Sequence, residues 1–462
     1  MDDMLRRKPF AMRASQRLTL LTLCLAVTIA HIDTFIVNLS ARAIGDHFGA
    51  GVDQLQWIVD SYNLVYAVSL LPGGMLADKY GRRRILICGA LIFSFASLLC
   101  AAAPSAQVLI GGRALTGAGG ALMIPASLAI IRVVWDQPDE RARALGIWAA
   151  CNGVAMTLGP SLGGLLIPWL GWRSIFLVIV PLGLLVAVMA GSTVPESANP
   201  QRRAFDAPAQ FCGALALGSL TYAAIGARST PGATIAMLAV AVLSTFLLIA
   251  IERKKGSEAL LSPEILSARQ FRAAMITTTG MTFGGYGMVF VLPLAWQSSG
   301  RFDAPASAAA LLPMSLVFVL VSPLSGTLSD KFGLRATTSG GVTLMSAGLL
   351  MIGLGGLQPN IALAEFGLAI TGLGLGLAAG PLSAMAVGDV AAARAGTAAA
   401  LINVARISGA TIGVAVLGGL YAATRGGRQG LLVAMLAGSL VQLAGAGAAW
   451  MMAQRKAPRL RI

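Results

Sequence analysis

The sequence predicts an all-α polytopic membrane protein of fourteen transmembrane helices, arranged as two six-helix halves with an inserted two-helix hairpin. Three observations carry that prediction. Of 462 residues, 56% belong to the set AVILMFWYC and only 11% are charged, with a mean hydropathy of +0.77. Soluble domains carry about 25% charged residues, and a soluble chain of this length needs far more polar surface than these residues provide. The apolar residues fall into runs of spanning length, each crossing of a bilayer core taking about 20 of them, so fourteen crossings use about 280 and leave short connections. Finally, motifs of the first six runs recur in the last six.

The runs are bounded by charges or by Gly and Pro clusters. Helix 1, 18–39, follows the basic residues Arg13 and Arg17; helix 2, 54–77, is closed by Asp78 and Lys79. Helix 3, 85–103, starts after Arg82, Arg83 and Arg84 and stops at Pro104, and helix 4, 107–131, stops at Arg132. Helix 5, 142–168, leaves a charged cluster around Arg141, and helix 6, 173–192, ends before Pro195. Helices 7 and 8, 208–227 and 232–251, lie between Pro208 and the Arg253–Lys255 cluster. Helix 9, 273–296, follows Arg272; helix 10, 306–329, is framed by Asp303 and Asp330; helix 11, 336–357, lies between Arg335 and Pro359. Helices 12, 13 and 14 are 361–386, 396–422 and 429–452, the last closed by Arg455 and Lys456. The resulting organisation is a tail 1–17, a first half 18–192, a hairpin 208–251, a second half 273–452 and a tail 453–462. No cleavable leader pattern precedes helix 1, which reads as a retained helix.

The net charge of +15 is topological rather than a nucleic-acid footprint. Of 34 Lys and Arg, 26 lie in the tails and the loops after even-numbered helices, six lie in the opposite loops, and Arg113 and Arg406 lie within spans. The positive-inside rule then puts both termini in the cytoplasm. The five cysteines, Cys24, Cys88, Cys100, Cys151 and Cys212, sit in apolar runs without CxxC spacing, which suggests neither a disulfide framework nor a metal site.

The repeat is explicit. GMLADKYGRRR at 74–84, after helix 2, matches GTLSDKFGLRA at 326–336, after helix 10. TGAGGALMIPAS at 116–127 in helix 4 matches TGLGLGLAAGPLS at 371–383 in helix 12. Helices 1–6 therefore correspond to 9–14, leaving 7 and 8 as the insertion. In the loop block Gly74 allows close helix approach, Asp78 can accept from an Arg, and Gly81 permits a tight turn before Arg82 and Arg83. Gly326, Asp330 and Gly333 are the equivalents, and such a block can latch in one conformation and release in another.

These residues resemble the major facilitator superfamily, and within it the fourteen-span drug:proton antiporters, over helices 1 to 14. The loop block is one signature of the family; Arg113, Gly117 and Gly119 match another in helix 4, with Thr116 where many relatives carry Gln. Gly159, Pro160, Gly163 and Gly164, with Gly153 before them, are similar to the helix 5 motif of antiporters. Ile32-Asp33-Thr34, Asn38, Trp57-Ile58-Val59-Asp60-Ser61-Tyr62 and Trp172-Arg173-x-Ile175-Phe176 look like the fourteen-span branch, in particular exporters of quaternary ammonium compounds. The resemblance implies the major-facilitator fold, a bacterial cytoplasmic (inner) membrane, multidrug efflux and antibiotic resistance, and proton coupling through the helix 1 acid and helix 4 Arg. Helix 5 makes mechanical sense regardless, because proline bends a helix and flanking glycines let a neighbour pack at the bend.

Ionisable groups inside spans usually mark ion or substrate pathways. Asp33 lies about 24 Å along helix 1 from its cytoplasmic flank, and Asp60 and Arg113 each lie about 9 Å in from the outer ends of helices 2 and 4. Three charges of one half thus share a depth. An Asp–Arg association keeps the carboxylate ionised, and loss of the partner on rocking favours proton uptake. His31 faces about 200° away from Asp33 and reads as structural, and Glu365 reads as interfacial. Arg406, mid-helix 13, faces the interior, to pair with carbonyls near Gly409 or with an anionic group. Unlike the quaternary-ammonium exporters, this chain has no acid in the apolar run of helix 10 or in helix 13, so a monocationic or neutral amphiphile fits better than a dication.

Candidate cavity residues are Asp33, Trp57, Asp60, Tyr62, Asn63, Trp148, Asn152, Phe283, Tyr286 and Arg406, with Phe35, Tyr66 and Phe290 also on the aromatic wall. Aromatic faces bind organic cations, and the 18 methionines adapt to varied shapes. The expected activity is export of amphipathic compounds in exchange for protons by alternating access. Its partners are the lipid bilayer, the substrate and protons, with no nucleic acid, and the default state is a monomer. No metal site and no cofactor is expected; the proton motive force is the drive, since no phosphate-binding GxxxxGK[ST] loop occurs. The alternatives are a dedicated exporter of one metabolite or self-made antibiotic and, remotely, a membrane-embedded enzyme or sensor.

Overall fold

A computed structural model of the chain describes residues 13–198, 206–226, 230–255, 267–357, 360–388, 390 and 395–452. The expected tails lie outside the described residues except for 13–17. The described residues form fourteen helices of spanning length: α1 (Ala14–Phe48), α2 (Val52–Tyr80), α3 (Arg82–Ala101), α4 (Ala106–Val134), α5 (Pro138–Leu170), α6 (Ser174–Leu177 and Ile179–Thr193), α7 (Ala207–Gly226), α8 (Pro231–Lys255), α9 (Arg269–Ser298), α10 (Ala304–Val321 and Leu324–Phe332), α11 (Leu334–Leu357), α12 (Ile361–Gly388), α13 (Ala395–Ala423) and α14 (Gly427–Met452).

Most helices run past the apolar stretch that announces them. Helix α1 continues beyond residue 39 through a polar turn held by the Arg42–Asp46 ion pair, 2.8 Å, until Gly49 stops it at φ 63°. Two helices are interrupted, each next to a proline that cannot donate a backbone hydrogen bond: α6 before Pro181 and α10 at Pro323. Polar caps start others. Ser105 accepts from the Val108 amide at 3.3 Å, and Asp303 from Ala306 at 2.8 Å.

Thirteen of these helices are apolar enough to cross a membrane. Helix α2 has the length but carries Asp53, Gln54, Gln56, Asp60, Ser61 and Asn63 in its first half, and four of these, Gln56, Asp60, Ser61 and Asn63, are buried in the protein. Its polarity faces inward rather than toward lipid. Outward surfaces are apolar, most plainly on α8, where Ile235, Val242 and Phe246 are each about 70% exposed. Helix α8 packs chiefly on α7, and α7 rests on α2 and α13 at the seam between the halves.

Within the first half α4 packs on α2 and α3, α1 on α5, and α3 on α6; within the second, α12 packs on α10 and α11, α9 on α13, and α11 on α14. The two sets are the same arrangement. The correspondence extends to single atoms: a Cβ on Gly117 would strike the Tyr62 carbonyl of α2, and one on Gly372 the Met314 carbonyl of α10. Likewise Gly119 lies on the Gly89 carbonyl of α3, and Gly374 on that of Gly341 of α11. The halves meet mainly where α5 crosses α10 and α2 crosses α13.

Candidate functional site

Asp33 and Arg113 are brought into contact. Arg113 Nη1 donates to Asp33 Oδ2 at 2.5 Å, and both side chains are sealed, with 1% and 0% exposure. The guanidinium also donates through Nε to the Ile58 carbonyl of α2, 3.2 Å, and lies 4.6 Å from the centre of the Tyr62 ring. Charge, hydrogen bond and aromatic face therefore hold Arg113 between α1 and α2. Asp33 Oδ1 has no hydrogen-bond partner among the described residues.

Asp60, one half-turn beyond Ile58, is buried but stays out of that pair. Neither of its oxygens has a hydrogen-bond partner among the described residues. A carboxylate buried without a cation or donors is costly. Tyr62 donates to the Ala30 carbonyl at 3.2 Å and stacks on Tyr66, 5.8 Å between ring centres. Trp57 turns to the hairpin instead, 6.0 Å from Tyr222 of α7.

A second layer lies between the halves. Arg406 of α13 hydrogen-bonds the Asn403 side chain, and its charge acts on His31 of α1, Tyr66 of α2 and Tyr286 of α9. Tyr286 stacks on Phe35 of α1 at 6.1 Å. The Tyr62–Tyr66 stack connects this layer to the Asp33–Arg113 pair. Phe283 is buried, its carbonyl against Gly413 of α13. Trp148 donates to Ser127 Oγ of α4 at 3.1 Å, and Asn152 to the Ala149 carbonyl at 3.1 Å. Glu365 is half-buried.

The α5 motif serves both halves at once. Around Pro160, Gly159 and Gly163 lie against Phe35, Ile36 and Leu39 of α1, while Gly153 meets Phe318 and Val319 and Gly164 meets Pro305 and Ala308 of α10. Helix α5 is thus the strip on which the two bundles bear.

In the loop after α2, Asp78 accepts from Arg82 Nε at 3.0 Å and from Nη2 at 2.8 Å. Gly81 turns at φ 107° and Gly333 at φ 88°, and the site of a Gly81 Cβ is taken by the Glu196 carboxylate. The close approach expected at Gly74 belongs to Gly73: its Cβ would hit the Ala121 carbonyl, whereas one on Gly74 would meet only Pro125 Cβ, at 3.5 Å. Gly326 faces open space and Asp330 is exposed.

Three residues outside the motifs tie the structure together. Glu196, past α6, accepts from the Arg83 amide at 3.1 Å and pairs with Arg83 and Arg84 at 3.7 and 3.6 Å. Gln56, fully buried, donates across the seam to the Val414 and Ala415 carbonyls at 2.8 and 2.7 Å, and Gln297 of α9 donates to the Leu39 carbonyl of α1 at 3.0 Å. Both glutamines lie toward the end of the bundle opposite the start of α1 and the end of α14 and hold the halves together there. For Gln56, an amide within the apolar run of helix 2 was the available signal.

Comparison with known proteins gives concordant results. The profile of the Major Facilitator Superfamily matches residues 23–414. Multidrug resistance protein Stp of Mycobacterium tuberculosis is 35% identical over 415 residues, 89% of this chain and 77% of that protein. The probable actinorhodin transporter of Streptomyces coelicolor is 33% identical, covering 84% and 70%, and the methylenomycin A resistance protein of Bacillus subtilis is 31% identical, covering 86% of each. Among solved structures, a bacterial homologue of the human lysosomal transporter Spinster, inward-facing and unoccupied, superposes with a TM-score of 0.68 at 18% identity, covering 96% of this chain and 98% of that one.

Proposed function

Because this chain belongs to the Major Facilitator Superfamily, and is a multi-pass membrane transporter rather than an enzyme, we propose that it is a proton-coupled exporter of amphipathic compounds. It works by alternating access in a bacterial cytoplasmic membrane, with both termini in the cytoplasm. The observation that carries this reading is the sealed Asp33–Arg113 pair, joined through Tyr62 and Tyr66 to the layer between the halves.

With the termini inside, Gln56 and Gln297 close the outer end, and cargo enters from the cytoplasm. Rocking the halves about α5 breaks those bonds and opens the outer side. Asp33 and Arg113 both belong to the first half, so their separation requires α1, which bears on α5, to shift against α4, which bears on α2 and α3, as the halves rock. A carboxylate that loses its countercharge in a dry site takes up a proton, here from outside, as cargo leaves. Return of the halves re-forms the ion pair and releases the proton inward. One charge moved through 100 mV is worth about 2.3 kcal/mol, enough for a modest concentration gradient.

A second reading, a dedicated exporter of one metabolite or antibiotic, is favoured by the similarity to an actinorhodin transporter and a methylenomycin A resistance protein. Efflux of ethidium and of fluorescein from loaded cells separates the two and tests the drive. Proton-coupled export requires that whichever dye the protein extrudes stops leaving with Asp33→Asn or with a protonophore. Efflux that survives both treatments refutes the coupling; efflux of one dye class alone favours a narrow cargo.

A further inference from the structure

At the end of the bundle opposite the start of α1 and the end of α14 lie two adjoining clefts, of about 280 and 690 Å³, which share Ser299 and Gly427. Arg301 and Arg428 line the smaller, and Asp53, Tyr421 and Arg425 line the larger. The larger takes residues from both halves and lies one turn outside Gln56, whose bonds close the seam. Helix α9 has 30 residues and α14 has 26, about 45 and 39 Å at a rise of 1.5 Å per residue. A bilayer with its headgroups is about 40–45 Å thick, so the clefts at the ends of these helices lie at headgroup level.

Three arginines meet one acid there. Only six of the 34 Lys and Arg lie in the loops of this side, where basic residues are disfavoured, and half of those six border the two clefts. Topology does not call for them. Among the described residues none of the three forms an ion pair, and Asp303, two positions from Arg301, is engaged in capping α10. Arg425 is also the one described residue other than glycine with a positive φ, 59°, and Gly426 and Gly427 follow it at 69° and 68°. Glycine would form that turn with less strain; what the arginine adds is its charge at the cleft.

Going beyond the export reading, and sharing with it only the cytoplasmic termini, we propose that the clefts hold the phosphodiester headgroup of an anionic phospholipid of the outer leaflet, bound by Arg301 and Arg428. At this depth phosphodiesters are the anions at hand, and a guanidinium matches their oxygens with paired, charge-assisted hydrogen bonds. Three guanidiniums against Asp53 leave an excess of positive charge, which favours a net-negative headgroup over one whose phosphate is balanced by its own amine. The acyl chains have a surface to follow. Beyond Arg428, α14 exposes Val433, Leu436 and Leu440, and α11 exposes Leu354, two residues before Gly356 of the smaller cleft. A free anion gains nothing from that apolar surface.

The test titrates dioleoyl phosphatidylglycerol and dioleoyl phosphatidylcholine into the purified full-length protein in uncharged detergent, with bound lipid counted by native mass spectrometry and glycerol 3-phosphate as the free anion. Wild type should bind phosphatidylglycerol at least about fivefold tighter than phosphatidylcholine. Arg301→Gln and Arg428→Gln should each weaken phosphatidylglycerol about fivefold, and together about 25-fold, with the preference lost. Arg301→Lys and Arg428→Lys, which keep the charge, should retain most of the binding and guard against a folding defect. Arg173→Gln, which removes one charge from the same end of the bundle outside the cleft lining, should bind as wild type does. No preference in wild type, an unchanged preference in the double variant, or an equal loss with Arg173→Gln overturns the site. Glycerol 3-phosphate binding as tightly as the lipid overturns the lipid as its occupant. The titration involves neither cargo nor a proton gradient, so its failure leaves the export reading as it stands, and failed efflux leaves the lipid site.

Discussion

Removing one member of the Asp33–Arg113 pair should cost far more than removing both. With Asp33→Leu, Arg113 stays 1% exposed and keeps only the 3.2 Å bond to Ile58 and the Tyr62 ring face. With Arg113→Met, Asp33 stays fully buried, and Oδ2 joins Oδ1 in having no donor. Breaking a buried pair from either side costs about 3–5 kcal/mol, whereas replacing both with apolar groups of similar volume is near neutral. The coupling energy of the double-mutant cycle should therefore be at least about 3 kcal/mol. Sodium dodecyl sulfate titration in mixed micelles, followed by the fluorescence of the seven tryptophans, measures all four proteins. Additive single effects, or singles each costing under about 1 kcal/mol as for exposed pairs, would refute a desolvated pair at this place.

Other positions make sharper contrasts. Gly73→Ala should cost about 1–3 kcal/mol by forcing α2 off the Ala121 carbonyl, while Gly74→Ala, its neighbour in the loop block, should unfold like wild type in the same titration. Gln56→Leu removes two hydrogen bonds across the seam, each worth about 0.5–1.5 kcal/mol. Spin labels at that end of α2 and α13 should then report a larger open population by electron resonance. Glu196→Ala should change stability by no more than about 1 kcal/mol, since its partners Arg83 and Arg84 are partly exposed, and a larger loss would mean that the loop latch is structural.

The helical frame was legible because lipid imposes long apolar runs, and because charged loops and a repeated motif separate and pair them. Asp33 and Arg113 were legible for the complementary reason: charges in spans are rare enough to single out. The reach of α1 to Phe48 was not, since an Arg42–Asp46 pair and a left-handed Gly49 extend a helix that hydropathy ends at 39. Nor was the choice of Gly73 over Gly74, which depends on helix phase to within one residue. Trp57 looked like a cavity residue because aromatic faces bind organic cations, yet its ring lies beside Tyr222 of α7. Gln56 on α13 joins residues more than 350 positions apart. Such contacts arise from how two bundles are set against each other, and no local pattern encodes that.

The glycine contacts of the two bundles are main chain on main chain: Gly117 on Tyr62, Gly119 on Gly89, and their counterparts Gly372 on Met314 and Gly374 on Gly341. A junction of that kind takes no notice of what side chains project from the remaining faces of the same helices. Residues on those other faces are free to be exchanged while the stacking of the helices stays as it is. Selectivity and mechanics are then inherited separately: a frame of this design can acquire a new cargo by altering a handful of inward-facing groups, without rebuilding the machine that moves it.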